Sequence, residues 1–280
     1  MMKMIKYLYT DGCSHTAGGG LEPWKNEIVK CYIEKYNIKI SNEKEWAWPR
    51  LLNYYLGTIL EDKSESGAGA DRVWRQVWEY CDNNIDKARE TLFILEIPSF
   101  FNRLDIRNTW QQQWLICNPE WDYKKGTLVD ISLVERYDNK SQIVGIENKK
   151  MILTNYLHTF FDFNEYEKSI YQKFAGLFSF FKLNNIQFFI IPNGIHPNIF
   201  TQNYGCDLSN NMFLFKYEDN IYNEFTDFAY KTKTRICDEL QEYTGTITMT
   251  RDTHPGIKAH KLWAELCAEY IKKNLEKSFI

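Results

Sequence analysis

Residues 91–99, TLFILEIPS, are apolar over almost a full strand length and then break at Pro98. A strand with one wet face alternates apolar and polar side chains, whereas a nearly continuous run of this kind is buried on both faces. Strands of that type lie inside sheets covered by helices on each side, so this run confines the chain to layered α/β folds.

The rest of the sequence keeps the same rhythm. Residues 3–10, KMIKYLYT, form a short β-prone run stopped by the turn signal Asp11-Gly12. Residues 45–57 place Trp46, Leu51, Leu52, Tyr55 and Leu56 at helical spacings and end at Gly57, after which 58–61 form a second short strand. Residues 71–83 repeat Val73, Val77 and Tyr80 on one helical face, with Asp71 suiting a helix N-terminus. An amphipathic helix is predicted over 164–185, a buried strand over 186–194, a last strand over 245–250 and a closing helix over 257–277 with Leu262, Leu266 and Tyr270 on one side. Strands alternating with helices predict a flavodoxin-like three-layer α/β/α sandwich around a mostly parallel five-stranded sheet.

Two stretches break the rhythm. Residues 104–160 and 195–244 are too long for plain connections, so the chain is expected to be a single α/β domain, 1–280, with insertions in those places. The first insertion is expected to carry its own helix or hairpin, and the second to be irregular.

Bulk properties narrow the function. With 34 Lys and Arg against 37 Asp and Glu, the net charge of -3 leaves no basic surplus for a nonspecific grip on nucleic acid. The 7 cysteines are scattered singly with no C-x-x-C pair, and no H-x-H or H-x-x-x-H pair occurs, so neither a metal nor another cofactor is expected. No window has the length of a membrane span and the N-terminal apolar run is short, which predicts a soluble chain, cytoplasmic as synthesised. Aromatics reach 16%, enough for a core and for a carbohydrate or partner surface besides.

Two short blocks carry chemistry. Directly after the first predicted strand comes DGCSHTAG, with Ser14 between Cys13 and His15, and just before the closing helix comes RDTHPG, with Asp252 and His254. A serine nucleophile needs a base for its proton and a carboxylate to fix the base's tautomer, and Ser14, His254 and Asp252 supply the three types on loops predicted to share one rim of the sheet. A competing reading makes Cys13 the nucleophile; neighbouring strand residues point to opposite sides, which disfavours it.

With these blocks the chain resembles the SGNH hydrolase superfamily of GDSL-type esterases, lipases and carbohydrate deacetylases. GCSHTAG is closest in look to the G-C-S-x-T-x-G version of phage and bacterial members, with Cys13 standing where the G-D-S block has aspartate. The resemblance implies a serine esterase with Ser14 as nucleophile, His254 as base and Asp252 as its orienter. D-x-H here is one residue shorter than the family's D-x-x-H. It implies an oxyanion hole made by the Ser14 N–H, Gly67 in ESGAGADR (Gly69 being the runner-up) and Asn102 in PSFFNRLD, where the usual G-x-N-D form is absent.

His15, Arg103 and His196 are candidate substrate-binding residues at the same rim. His260 is expected to pack within the closing helix. The substrate class implied is a small-molecule or glycan ester, with an O-acetylated carbohydrate as the family habit. The alternative is a catalytically silent domain of the same fold that binds a glycan or partner, or forms part of a viral particle. Homo-oligomerisation and association with a virion stay open in both readings.

Overall fold

The computed structural model describes residues 5–19, 21, 45–65, 68–98, 104–108, 113–122, 127–135, 151, 154–157, 159, 161–193, 195–218, 220–244 and 254–277. Among the described residues, four parallel strands form the central sheet: β1 (Tyr7–Asp11), β2 (Ile59–Asp62), β3 (Thr91–Ile97) and, later in the chain, Gln187–Pro192. The predicted strand over 245–250 lies outside the described residues.

The helices begin and end where local chemistry directs. Helix α1 (Ser14–Ala17) is a single turn closed by Gly18 at φ 79. This stretch reads as a loop in the sequence, because four residues are too few to show a helical period. Helix α2 (Trp48–Leu56) starts with Pro49 in its first turn and stops at Gly57, whose N–H donates to the Asn53 carbonyl at 2.9 Å with φ 66. Helix α3 (Ala70–Asn83) buries Ala70, Val73, Val77 and Cys81, and the short α4 (Ile85–Arg89) is capped by the Asn84 side chain, which accepts from the Lys87 N–H.

Between β3 and the last sheet strand comes a separate antiparallel sheet of β4 (Leu104–Asn108), β5 (Gln113–Asp122) and β6 (Thr127–Glu135), paired in that order. Helix α5 (Phe163–Leu183) follows, its first turn held by Asp162 Oδ1, which accepts from the N–H groups of Asn164 and Glu165 at 2.9 and 3.1 Å. It leads into β7 (Gln187–Pro192). Residues 195–244, read as irregular from the sequence, hold α6 (Asn198–Tyr204), the hairpin of β8 (Phe215–Tyr217) and β9 (Asn220–Tyr222), α7 (Phe225–Lys231) and α8 (Ile236–Thr244). Helix α9 (Ile257–Lys277) closes the chain.

Sheet order is β2-β1-β3-β7. Because side chains alternate along each strand, the sheet feeds two cores. On one face Tyr9, Phe93, Leu95, Phe188 and Ile190 pack with Val73 and Val77 of α3 and with Phe174, Phe178 and Phe181 of α5. On the other, Leu8, Leu92, Ile94, Phe189 and Ile191 meet Trp48 and Leu52 of α2 and Trp263, Cys267 and Ile271 of α9. The chain is thus an α/β fold with a parallel sheet between two helical layers.

Two sequence expectations shift in position. The face of α9 that centres on the sheet is Ala259, Trp263, Cys267 and Ile271, while Leu262, Leu266 and Tyr270 are its half-buried flank. The aromatic wealth goes largely into these cores, for example Phe178 stacked on Phe188 at 5.2 Å, although Tyr54 and Tyr230 stay exposed.

His260 is fully buried within α9 and its Nδ1 accepts from the Trp48 N–H at 3.0 Å, joining the first turn of α2 to the closing helix. Burial, with the nearby charges of His15 and His254, pushes its pKa down to about 3 despite the opposing charge of Glu96. It is a neutral acceptor in the core. No helix among the described residues is long and apolar enough to cross a membrane.

Candidate active site

Parallel strands bring their carboxyl ends to one edge, and the loops leaving them make the natural rim for a site. At the end of β1, Gly12 lets the chain turn hard against β3: a Cβ there would lie 2.8 Å from Glu96 Cβ. The chain then enters α1 with Ser14 as its first residue. The first N–H groups of a helix have no acceptor inside it, so the Ser14 N–H is left for another partner.

His254 arrives from the far end of the sequence. Its carbonyl accepts from the Ile236 N–H at 2.9 Å, and the Gly256 N–H donates to the Thr234 carbonyl at 2.8 Å. Pro255 pairs antiparallel with Arg235 between these bonds. Glu239 Oε1 accepts from the Lys258 N–H at 2.8 Å and so caps the start of α9. Held from both sides, the imidazole places Nε2 3.2 Å from Ser14 Oγ. Gly19 completes the contact: its N–H donates to the Ser14 carbonyl at 2.6 Å, and a Cβ on it would stand 2.8 Å from Ser14 Cβ and 3.5 Å from His254 Cδ2. Ser14 is 3% exposed and His254 half-buried.

The loop after β2 is tied to the same exit. The Glu65 N–H donates to the Gly12 carbonyl at 3.1 Å, and Gly69, the runner-up oxyanion candidate, is the N-cap of α3. Arg72 braces the arrangement through Nη1 to Asp11 Oδ1 at 3.0 Å, Nε to Glu65 Oε2 at 2.9 Å and Nη2 to the Lys63 carbonyl at 2.9 Å. Asp11 is fully buried, and burial raises its pKa to about 7 against the opposing Arg72 charge and the Gly12 N–H.

A second cluster lies on the other side of the loop. His15 Nδ1 is 3.4 Å from Cys13 Sγ and 3.5 Å from Glu96 Oε1, while Asn193, just past β7, sets Nδ2 2.7 Å from Glu96 Oε1 and 3.2 Å from His15 Nδ1. Thr16 Oγ1 donates to Glu96 Oε2. Burial disfavours charge on both His15 and Glu96, but the contacts of His15 with Cys13 and Glu96 hold its pKa up. The hydrogen bonds and charge of His15, with Thr16 and Asn193, hold that of Glu96 down.

The structure thus brings Ser14, His254 and His15 together, the two imidazole rings being 5.5 Å apart. His196 is exposed, its backbone N–H donates to the Tyr171 hydroxyl at 3.0 Å, and among the described residues no hydrogen bond or ring contact joins it to Ser14 or His254. Asp252, Gly67, Asn102 and Arg103 lie outside the described residues. Cys13 is buried against His15 and Glu96 and is not the group that faces His254.

Sequence reasoning missed Glu96, Asn193, Thr16 and Arg72. The available signal was Glu96 itself, the lone carboxylate in the run TLFILEI, since a charge in a strand buried on both faces needs partners.

No family model matches the chain, and no curated protein matches it. Among solved structures it is similar to the psychrotrophic esterase EstA of Pseudoalteromonas sp., in a structure inhibited by monoethylphosphonate, at 14% identity over 97% of this chain and 99% of that one, with a TM-score of 0.45. A superposition that loose transfers no residue roles.

Proposed function

We propose that the chain is a serine ester hydrolase of SGNH type, working through Ser14 and His254. The observation that carries this is the 3.2 Å approach of His254 Nε2 to Ser14 Oγ at the carboxyl edge of a parallel sheet. Nε2 takes the hydroxyl proton as Oγ bonds to the ester carbonyl carbon. Collapse of the tetrahedral species breaks the bond to the alcohol oxygen, which receives that proton from His254. Water then repeats the sequence on the acyl-enzyme. Asp252 is assigned to the Nδ1 side of His254, and the oxyanion to the Ser14 N–H, Gly67 and Asn102, each donor contributing roughly 3 kcal/mol in a well-formed hole. His15, Arg103 and His196 are assigned to substrate, with O-acetylated glycans the first esters to screen. The domain is taken as one unit with 104–160 and 195–244 as insertions.

The 3% exposure of Ser14 favours a second reading, a silent domain of this fold that binds a glycan or partner or builds a viral particle. Labelling with a fluorophosphonate, read by peptide mass spectrometry, separates the two. The esterase reading expects one adduct, on Ser14, lost in His254→Ala. An unlabelled but well-folded protein would leave the silent reading in its place.

A further inference from the structure

Cys13 Sγ, His15 Nδ1 and Glu96 Oε1 form a nearly equilateral triangle with sides of 3.4, 3.5 and 3.6 Å. They are the three candidate ligand atoms of one compact, largely buried group. A tetrahedral zinc ion with bonds of about 2.3 Å to sulfur and about 2.0–2.2 Å to nitrogen and oxygen sets its ligand atoms roughly 3.3–3.6 Å apart. The three sides fall at that spacing, so an ion would sit within about 1 Å of their plane with little movement of the donors.

Hydrogen bonding serves His15 Nδ1 poorly. One ring nitrogen makes one hydrogen bond, either as donor or as acceptor, yet Sγ, Oε1 and Asn193 Nδ2 all converge on His15 Nδ1 at 3.2 to 3.5 Å. The arrangement also differs from a nucleophile and base with an orienting group, where the orienter bonds the opposite ring nitrogen. Glu96 is 1% exposed, and among the described residues its ion-pair partner is His15 itself, so a proton on the imidazole holds the place that a metal ion would take. A buried carboxylate and a thiol directed at the same imidazole nitrogen are a donor set for a cation.

We propose that Cys13, His15 and Glu96 bind a divalent transition-metal ion of zinc type. The thiolate selects for a softer ion than magnesium or calcium, and imidazole with carboxylate suits zinc. On binding, the Cys13 proton and any proton on His15 Nδ1 leave to solvent. Asn193 stands over the fourth position, its amide 3.9 Å from Cys13 Sγ, and a half-turn about its last torsion exchanges nitrogen for a ligating oxygen. The ligands come from both sides of Ser14 and from β3, so the ion pins the serine loop to the sheet. Metal content is measured without any ester, and this inference therefore stands or falls apart from the hydrolase reading.

The experiment is titration of chelator-treated, folded wild-type protein with cobalt(II), followed by zinc(II) competition. The expected result is saturation at one ion per chain, with a thiolate-to-cobalt charge-transfer band, the intense visible bands of tetrahedral cobalt, and loss of both on adding zinc. Cys13→Ser should abolish the charge-transfer band and Glu96→Gln should weaken binding by about 10-fold or more. Failure of the wild-type protein to bind cobalt, or an unchanged spectrum in Cys13→Ser, overturns the proposal. Should Cys13→Ser not fold, zinc-edge X-ray absorption on the wild-type protein decides: one sulfur with nitrogen and oxygen neighbours supports the site, and a shell without sulfur overturns it.

Discussion

Ser14 Oγ and His254 Nε2 stand 3.2 Å apart although 240 residues separate them in sequence. A pair acting as nucleophile and base loses nearly everything when either member goes, and little more when both do. Ser14→Ala and His254→Ala are each expected to lower kcat/KM on an activated acetyl ester by about 10³-fold or more, with the double variant no worse than the weaker single one. Steady-state kinetics beside a thermal melt checks this. Additive losses would mean the two residues act separately.

Gly19 makes the same pair sensitive to a single methyl group. A Cβ at that position would stand 2.8 Å from Ser14 Cβ, closer than packed carbons tolerate, so the serine loop must give way. A displacement near 1 Å at reacting atoms costs about 10²-fold in rate. Gly19→Ala is therefore expected to lower kcat by 10- to 100-fold on the order of that estimate while the far-ultraviolet circular dichroism stays unchanged. Unaltered kcat would show that the loop absorbs the methyl without moving Ser14.

What the sequence made legible follows from how strongly each element is dictated. Strand β3 could be read because burial on both faces leaves almost no polar residue in it, and α9 because its apolar period runs through 257–277, the span observed. Ser14 and His254 could be brought to one rim because each adjoins an element whose direction the parallel sheet fixes. The turn of helix at Ser14 was not legible, since four residues show no period. Nor was the role of Asn193, which reads in PNG as an ordinary turn residue and acquires partners only when β3 and β7 pair. The C-x-H pair of Cys13 and His15 likewise became a ligand candidate only once β3 supplied Glu96.

Arg72 and Asp11 test how the exit of β1 is held. Asp11 is fully buried and the Arg72 guanidinium, 15% exposed, is its ion-pair partner at 3.0 Å. With its pKa already at about 7, Asp11 takes up a proton once Arg72 is removed, so the cost is that of the lost hydrogen bonds and not of a locked, uncompensated charge. Arg72→Met is expected to destabilise the protein by roughly 1–2 kcal/mol in urea unfolding at pH 7.5, and the added change Asp11→Asn should recover part of that loss. A double variant as unstable as the sum of the singles would assign the effect to lost packing of the arginine stem instead.

Glu239 ties stability to pH at the base of the His254 loop. Its carboxylate is buried, and burial raises its pKa from 4.5 to about 7, although the Lys258 N–H and charge and the N–H groups of Ile257 and Ala259 act the other way. A folded-state pKa above the unfolded one means that the folded protein holds the proton more tightly. The associated stability is complete below about pH 4.5 and is lost as pH rises through about 7. The span corresponds to about 3 kcal/mol. Glu239→Gln keeps an oxygen for the first turn of α9 and removes the titration. The variant is thus expected to gain on the wild type as pH rises from 5 to 8, by an amount on the order of that figure, in chemical unfolding measured along the series. A difference that stays constant across the series would mean that Glu239 titrates alike in the folded and unfolded chain, and that its bonds to α9 offset its burial in full.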